Sequence, residues 1–124
     1  MPSQSKEGIF LRRSLWRIGR RKELEERRAE FFAALACSTR IRILELLRDG
    51  EKCVTDIIPI LRVKQSVVSR HLGVLRRVGA VEARREGTRV FYRLATPLVL
   101  QILNLADRML ERMEREPQEV PGPR

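Results

Sequence analysis

Residues 65–94 read Q-S-V-V-S-R-H-L-G-V-L-R-R-V-G-A-V-E-A-R-R-E-G-T-R-V-F-Y-R-L, and the hydrophobic period changes partway through them. In the first part Val68, Leu72 and Leu75 recur at helical spacing. That predicts a helix opened by Ser66, running through Val78 and closed by Gly79. From residue 80 the period falls to two. Residues 80–85 and 88–94 alternate apolar and polar side chains around Glu86-Gly87, a hairpin turn signal. The stripe Val68, Leu72, Leu75 must face a core, which leaves Ser66, Ser69, Arg70, Gly73 and Arg77 on the outer side of the helix.

Upstream, a helix is predicted from about Val54 to Leu61, with Pro59 as a local irregularity, and Arg62 to Gln65 form a short polar turn. Arg40 to Arg48 is a further helix. It buries Ile41, Leu44 and Leu47, with Ile43 and Leu46 widening the face; Ser38 or Thr39 is the expected N-cap and Asp49-Gly50 the stop. Three helices with such short connections pack as a trihelical unit. Residues 22–36 form another helix, with Leu24, Phe31, Phe32 and Leu35 on one side. Downstream, Thr96-Pro97 starts a long helix with the stripe Leu98, Ile102, Leu105, Met109 and Met113, backed by Val99, Leu103, Ala106 and Leu110. This order is that of a winged helix-turn-helix, mainly α with a β-hairpin wing.

The length of 124 residues fits one domain. A 43% hydrophobic fraction supports one core, and 5% aromatics make it aliphatic. Two Cys, seven Gly and six Pro exclude a disulfide scaffold, a collagen-like repeat and a wholly disordered chain. No apolar run approaches the roughly 18 to 20 residues that span a bilayer, and Arg12, Arg13 and Arg17 break up any secretory signal. The expectation is a cytoplasmic protein. Residues 9–18 have helical spacing amid arginines, which fits either a short helix on the body or a partner subunit, or a membrane-surface helix. The expected organisation is a basic, partly helical extension over 1–21, a winged helix-turn-helix domain over 22–116, and a flexible tail over 117–124.

The formal net charge is +10, and it is unevenly placed. Residues 62–93 carry nine basic side chains against Glu82 and Glu86, net +7. Such a run is often just a solvated face, but here it coincides with the helix and hairpin, which favours a phosphate-binding surface. Arg outnumbers Lys by 22 to 4, which suits forked contacts to phosphate or guanine, although a GC-rich genome gives the same bias.

The segments S-T-R-I-R-I-L, Q-S-x-x-S-R-H-L-x-x-L and G-A-V-E-A-R-R-E-G together resemble the arsenic-repressor (ArsR/SmtB) family of transcriptional regulators, over about residues 31–115. The resemblance implies a homodimeric repressor that binds a short, imperfectly palindromic duplex operator and is released by an effector. It also implies dimerisation through the first and last helices, with Phe31, Leu98, Ile102, Leu105, Met109 and Met113 at the interface. A two-fold dimer places two recognition helices about one DNA turn apart.

Residue chemistry agrees with DNA binding. Gln65, Ser66, Ser69 and Arg70 suit base edges, while Lys64, Arg77, Arg84, Arg85 and Arg89 suit phosphates, with Arg93 further along the same hairpin. His71, the single histidine, reads as a DNA-contacting or packing residue rather than a metal ligand. Gly73 costs roughly 1 kcal/mol against Ala in an exposed helix interior; it serves close backbone approach to DNA or is incidental.

For sensing, the chain departs from the family's best-known pattern. Cys53 is kept, but Thr55 stands where metal-sensing relatives carry a second thiol. The family's other site uses Asp and His of the last helix; Asp107, Glu111 and Glu114 are there, without histidine, and zinc favours imidazole or thiolate. No cofactor or metal is expected, apart from a soft metal on Cys. Cys37 and Cys53 are inert thiols or a redox, persulfide or soft-metal sensor, and an organic ligand in a dimer pocket is the remaining route. Two rivals from other classes stand beside the regulator: a basic RNA- or ribosome-binding protein, and a peripheral membrane protein acting through residues 9–21. One histidine, no phosphate-cradling glycine loop and no paired acids leave no catalytic set, so an enzyme is not expected.

Overall fold

The computed structural model describes residues 21–116 and 122. The expected helix over 9–18 and the tail over 117–121 and 123–124 lie outside the described residues. Helix α1 spans Arg21–Leu35 and α2 spans Ser38–Leu46, followed by a 3-10 turn at Leu47–Asp49. A two-residue strand β1 (Lys52–Cys53) leads directly into α3 (Val54–Leu61), and α4 (Gln65–Arg77) follows a three-residue turn. Strands β2 (Val81–Glu86) and β3 (Arg89–Leu94) make the hairpin, and α5 (Leu98–Arg115) ends the fold.

The sheet is antiparallel, in the order β1-β3-β2. Strand β1 is an addition to the expected two-stranded wing. Two residues are too short to show a period, yet Lys52 pairs with Tyr92 and Cys53 with Phe91. The hairpin register sets Glu86 opposite Arg89. The turn is therefore Gly87-Thr88, one residue later than Glu86-Gly87. Gly87 has φ +64, a left-handed conformation that favours glycine over any residue with a Cβ.

The core is aliphatic. Ile43, Leu44, Ile57, Val68, Leu72 and Leu75 are fully buried at the centre of the trihelical unit, and Val99 and Leu103 of α5 close it. In α2 the inward residues are Ile43 and Leu44, followed by Leu47 of the 3-10 turn, with Ile41 only partly buried. The centre of the face thus lies at Ile43 and Leu44, shifted from the expected Ile41, Leu44, Leu47 toward the Ile43 that was expected only to widen it. The expected capping by Ser38 or Thr39 is also corrected: both lie inside α2, and Cys37 is the N-cap without a side-chain hydrogen bond.

Helix ends fix the geometry of the DNA-facing part. Residue Arg62 ends α3 with φ 59, its N–H donating to Ile58 O at 2.8 Å. Helix α4 ends in a Schellman motif: Gly79 N–H donates to Arg76 O at 3.0 Å and Ala80 N–H to Leu75 O at 2.9 Å, with Gly79 at φ 83. That left-handed glycine turns the chain directly from α4 into β2. At α5 the Thr96 hydroxyl accepts the Leu98 N–H at 3.2 Å.

Candidate nucleic-acid interface

Helix α4 divides its faces as the stripe demands. Val68, Leu72 and Leu75 are inside, and Gln65, Ser66, Ser69, Arg70, Gly73 and Arg77 are exposed. Its first residue is Gln65, and Lys64 in extended conformation is the N-cap, so the helix starts one residue before the expected Ser66. None of Lys64, Gln65, Ser66, Ser69, Arg70 or Arg77 has a side-chain partner among the described residues. The N-terminal turn of α4 therefore offers unengaged amides, small hydroxyls and a carboxamide, with a guanidinium one turn on. A Cβ at Gly73 would meet nothing within 4 Å, so packing inside the chain does not require glycine there.

His71 lies half-buried on the flank of α4 against α2. Arg40 donates from a terminal guanidinium nitrogen to His71 Nδ1 at 3.2 Å, which puts the ring proton on Nε2. The same Arg40 is anchored through its Nε to Ala34 O at 2.5 Å. Burial, then the positive charges of Arg40 and Arg70, push the imidazole pKa down, so the ring is neutral at pH 7.

The wing arginines have different surroundings. Arg84 forks onto Glu51, with Nε–Oε1 at 2.8 Å and a terminal nitrogen at 2.7 Å from Oε2, while its other terminal nitrogen pairs with Glu86. Its guanidinium stacks 4.6 Å from the Phe91 ring centroid, and its side chain is only 16% exposed. The hydrogen bonds it donates to Glu51 and then to Glu86 raise its pKa further above the usual arginine value. Arg93 donates to Glu82 at 3.1 and 3.3 Å. Glu82 is 2% exposed, because the first half of β2 is covered on both faces rather than alternately as the sequence reading expected. Arg85 is exposed and has no side-chain partner among the described residues.

Arg89 donates to the thiol sulfur of Cys53 at 2.8 Å and lies 5.2 Å from the Phe91 centroid. Around that buried sulfur are also Thr55 Oγ1 at 2.8 Å and Asp56 Oδ2 at 3.2 Å. The Cys53 backbone N–H and then its thiol hold the Asp56 carboxyl below the usual carboxylate range, with Arg89 adding a smaller pull. Both cysteines are free thiols, and Cys37 is half-buried. Among the described residues, no three His, Cys, Asp or Glu side chains gather as a metal-holding group.

The outer face of α5 is apolar and open. Leu98, Leu105, Met109 and Met113 are each more than half exposed, with Met109 the highest at 61%. Ile102 is partly buried, as is Phe31 on α1, whereas its neighbour Phe32 is 53% exposed. The expected single apolar side of α1 is therefore split: Ala34 and Leu35 turn inward, Leu24 and Phe32 outward. The partners Glu51, Glu82, Phe91 and Arg40 were missed from sequence. Each is brought to its partner by the packing of helices or the pairing of strands, which depends on an arrangement not known beforehand.

The profile of the arsR family of bacterial regulatory proteins matches residues 37–83, the span from the start of α2 into β2. The HTH-type transcriptional regulator Rv0081 of Mycobacterium tuberculosis is 41% identical over 87 residues, covering 69% of this chain and 76% of that protein. The chain belongs to the ArsR family. This ArsR-family chain is thus a transcriptional regulator with a winged helix-turn-helix fold, and not an enzyme. The crystal structure of Rv0081 superposes with a TM-score of 0.68 at 40% identity, over 74% of this chain and 93% of that one. A homodimeric winged helix-turn-helix DNA-binding domain from Mycobacterium bovis (Mb0332), solved in solution, gives a TM-score of 0.71 at 34% identity, over 83% and 96%. The transcriptional repressor SmtB of Mycobacterium tuberculosis is 39% identical over 74 residues, 60% of this chain and 55% of that protein. No helix among the described residues is long and apolar enough to cross a membrane.

Proposed function

We propose that this regulator is a cytoplasmic homodimeric repressor that binds a short, imperfectly palindromic duplex operator. The observation that carries the reading is the outer face of α4, where Lys64, Gln65, Ser66, Ser69, Arg70 and Arg77 are all exposed and without side-chain partners among the described residues. The N-terminal turn reads bases, Arg70 forks onto guanine, and Lys64, Arg77 and the wing-tip Arg85 hold phosphates. The open apolar face of α5 and the exposed Phe32 support a second copy as their cover, as in the homodimeric relative from Mycobacterium bovis. Repression is inferred from the likeness to SmtB.

The test is binding to the duplex upstream of its own gene against random competitor, with salt varied. Sequence preference, protection of two half-sites about 10 base pairs apart and a steep salt dependence are expected. Preference for structured RNA over duplex DNA would replace this reading with the RNA-binding one.

A second reading concerns the signal. The contact of Arg89 with Cys53 joins a wing arginine to the thiol at the N-cap of α3, the helix preceding the turn. Modification of Cys53 would displace Arg89. Operator binding lost on alkylation and retained in Cys53→Ser, but not in Cys37→Ser, would support thiol sensing at Cys53. Binding that survives alkylation would leave both thiols structural.

A further inference from the structure

A single guanidinium links three helices. Arg40, in the first turn of α2, donates through Nε to Ala34 O at 2.5 Å and through a terminal nitrogen to His71 Nδ1 at 3.2 Å. Ala34 O is among the last carbonyls of α1, which that helix cannot satisfy from within. His71 stands on the flank of α4, next in sequence to the exposed Arg70. Both contacts leave one planar, rigid group, so together they fix the recognition helix relative to the end of α1. Arg40 and His71 are both half-buried, and neither contact needs a surface that a second copy would cover.

The contact with His71 requires a bare Nδ1. A second proton on the ring would fill that lone pair and set an imidazolium against Arg40. The charged groups that bear on the ring are Arg40 from α2 and Arg70 from α4 itself, and both oppose the proton. From α3 and β2, which also pack on α4, no charge bears on it, so among the described residues no carboxylate holds the imidazolium. The strut therefore has two states, tied with the ring neutral and released with the ring charged.

From this geometry we propose that Arg40 is a positioning residue for operator reading, which holds α4 in place through neutral His71, and that a proton on His71 releases the helix and lowers its preference for the operator. The proposal rests on the reading of α4 as the DNA-reading helix; the strut itself does not. Base edges are read only when Gln65, Ser66, Ser69 and Arg70 are accurately placed, whereas phosphate contacts carry no sequence information. Release therefore costs sequence preference and leaves general affinity for duplex. A direct contact of His71 with phosphate predicts the opposite sign, because a charged ring would strengthen binding to any duplex. His71 is the single histidine, so no other side chain has an ordinary pKa between about 5 and about 8.

The test competes the duplex upstream of its own gene against random duplex on the full chain, from about pH 7.5 to about pH 5, with helicity followed throughout. The natural chain should lose about five- to tenfold in operator preference as the pH falls below about 6.5, without losing affinity for random duplex. His71→Asn puts an amide oxygen near the Nδ1 position; it should keep the preference and remove its pH dependence. Arg40→Lys keeps the charge but not the fork. This variant and His71→Leu should each show the lowered preference at every pH, and the double variant should be no worse than either. A preference that is flat or rises as the pH falls, an Arg40→Lys equal to the natural chain, or additive losses would overturn the proposal. A natural chain without operator preference at neutral pH would sink the DNA reading instead. Nitrogen chemical shifts of the ring keep the two failures apart: Nε2 protonated, with an Nδ1 shift that changes in Arg40→Lys, establishes the strut whatever the DNA result. If Arg40→Lys or His71→Leu fails to fold, the natural chain against His71→Asn across the pH range still decides.

Discussion

The recognition helix and the wing are both rich in arginine, but their arginines are in opposite situations. On α4, Arg70 and Arg77 project into solvent without side-chain partners among the described residues. In the wing, Arg84 is forked onto Glu51, Arg89 onto the Cys53 sulfur and Arg93 onto buried Glu82, which leaves Arg85 open near the tip. The helix therefore presents its charge outward, whereas the wing uses most of its charge to hold its own shape. A net +7 over residues 62–93 overstates the surface available to a polyanion. Basic residues count toward binding only after their internal partners are discounted.

The largest effect that would test this contrast is on stability. Glu82→Ala should destabilise the fold by about 3 kcal/mol by removing the buried carboxylate that pairs with Arg93, read as a lowered denaturation midpoint. A neutral result would mean that the wing does not depend on this pair. Next, Arg70→Ala should cost about 1–3 kcal/mol on the operator and relax specificity at one position, with little change on random duplex. Equal losses on both would demote Arg70 to a phosphate contact.

The neighbouring wing arginines should then separate. Arg85→Ala should weaken operator and random DNA alike and reduce the slope of log affinity against log salt by about 1. Arg84→Ala should leave that slope unchanged and lower the melting temperature instead. The reverse pattern would exchange their roles. Gly73→Ala should stabilise the free protein by about 1 kcal/mol; loss of operator binding in that variant would identify close backbone approach as the reason for glycine.

The smallest effect is on pH dependence. His71 has a lowered pKa in the fold, so the unfolded chain binds the extra proton first as pH falls below about 6.5. Its contribution to stability is full above that value and declines below it, until the folded-state pKa is passed. His71→Gln should flatten this part of the melting profile, and an unchanged slope would remove His71 as its source.

Much of the helical part was legible because its signals are local. The stripe Val68, Leu72, Leu75 and the stop at Gly79 follow from helical geometry and from the left-handed preference of one residue. Features that depend on which segments come together were not legible in the same way. The pairing of Lys52-Cys53 with β3, the burial of Glu82 and the clasp of Glu51 on Arg84 join residues about 10 to 40 positions apart in sequence. The shift of the α2 face toward Ile43 has the same origin, since α1, α3, α4 and α5 all pack on it and together choose the buried face. In the site, exposure of α4 was readable, while the difference between Arg84 and Arg85 was not: a one-residue step along a strand reverses the face.

One further consequence follows from the strand order. Strand β2 lies at the margin of the sheet, and its outer row of backbone groups is unpaired among the described residues. Such a margin is a template on which another chain can add a strand, the usual route to fibrils. Here the two exposed residues at its outer end, Arg85 and Glu86, are charged, so a second copy sliding alongside would have to strip water from these ions to pair. Charge on the wing thus also guards it against polymerisation, while the apolar face of α5 carries no such guard.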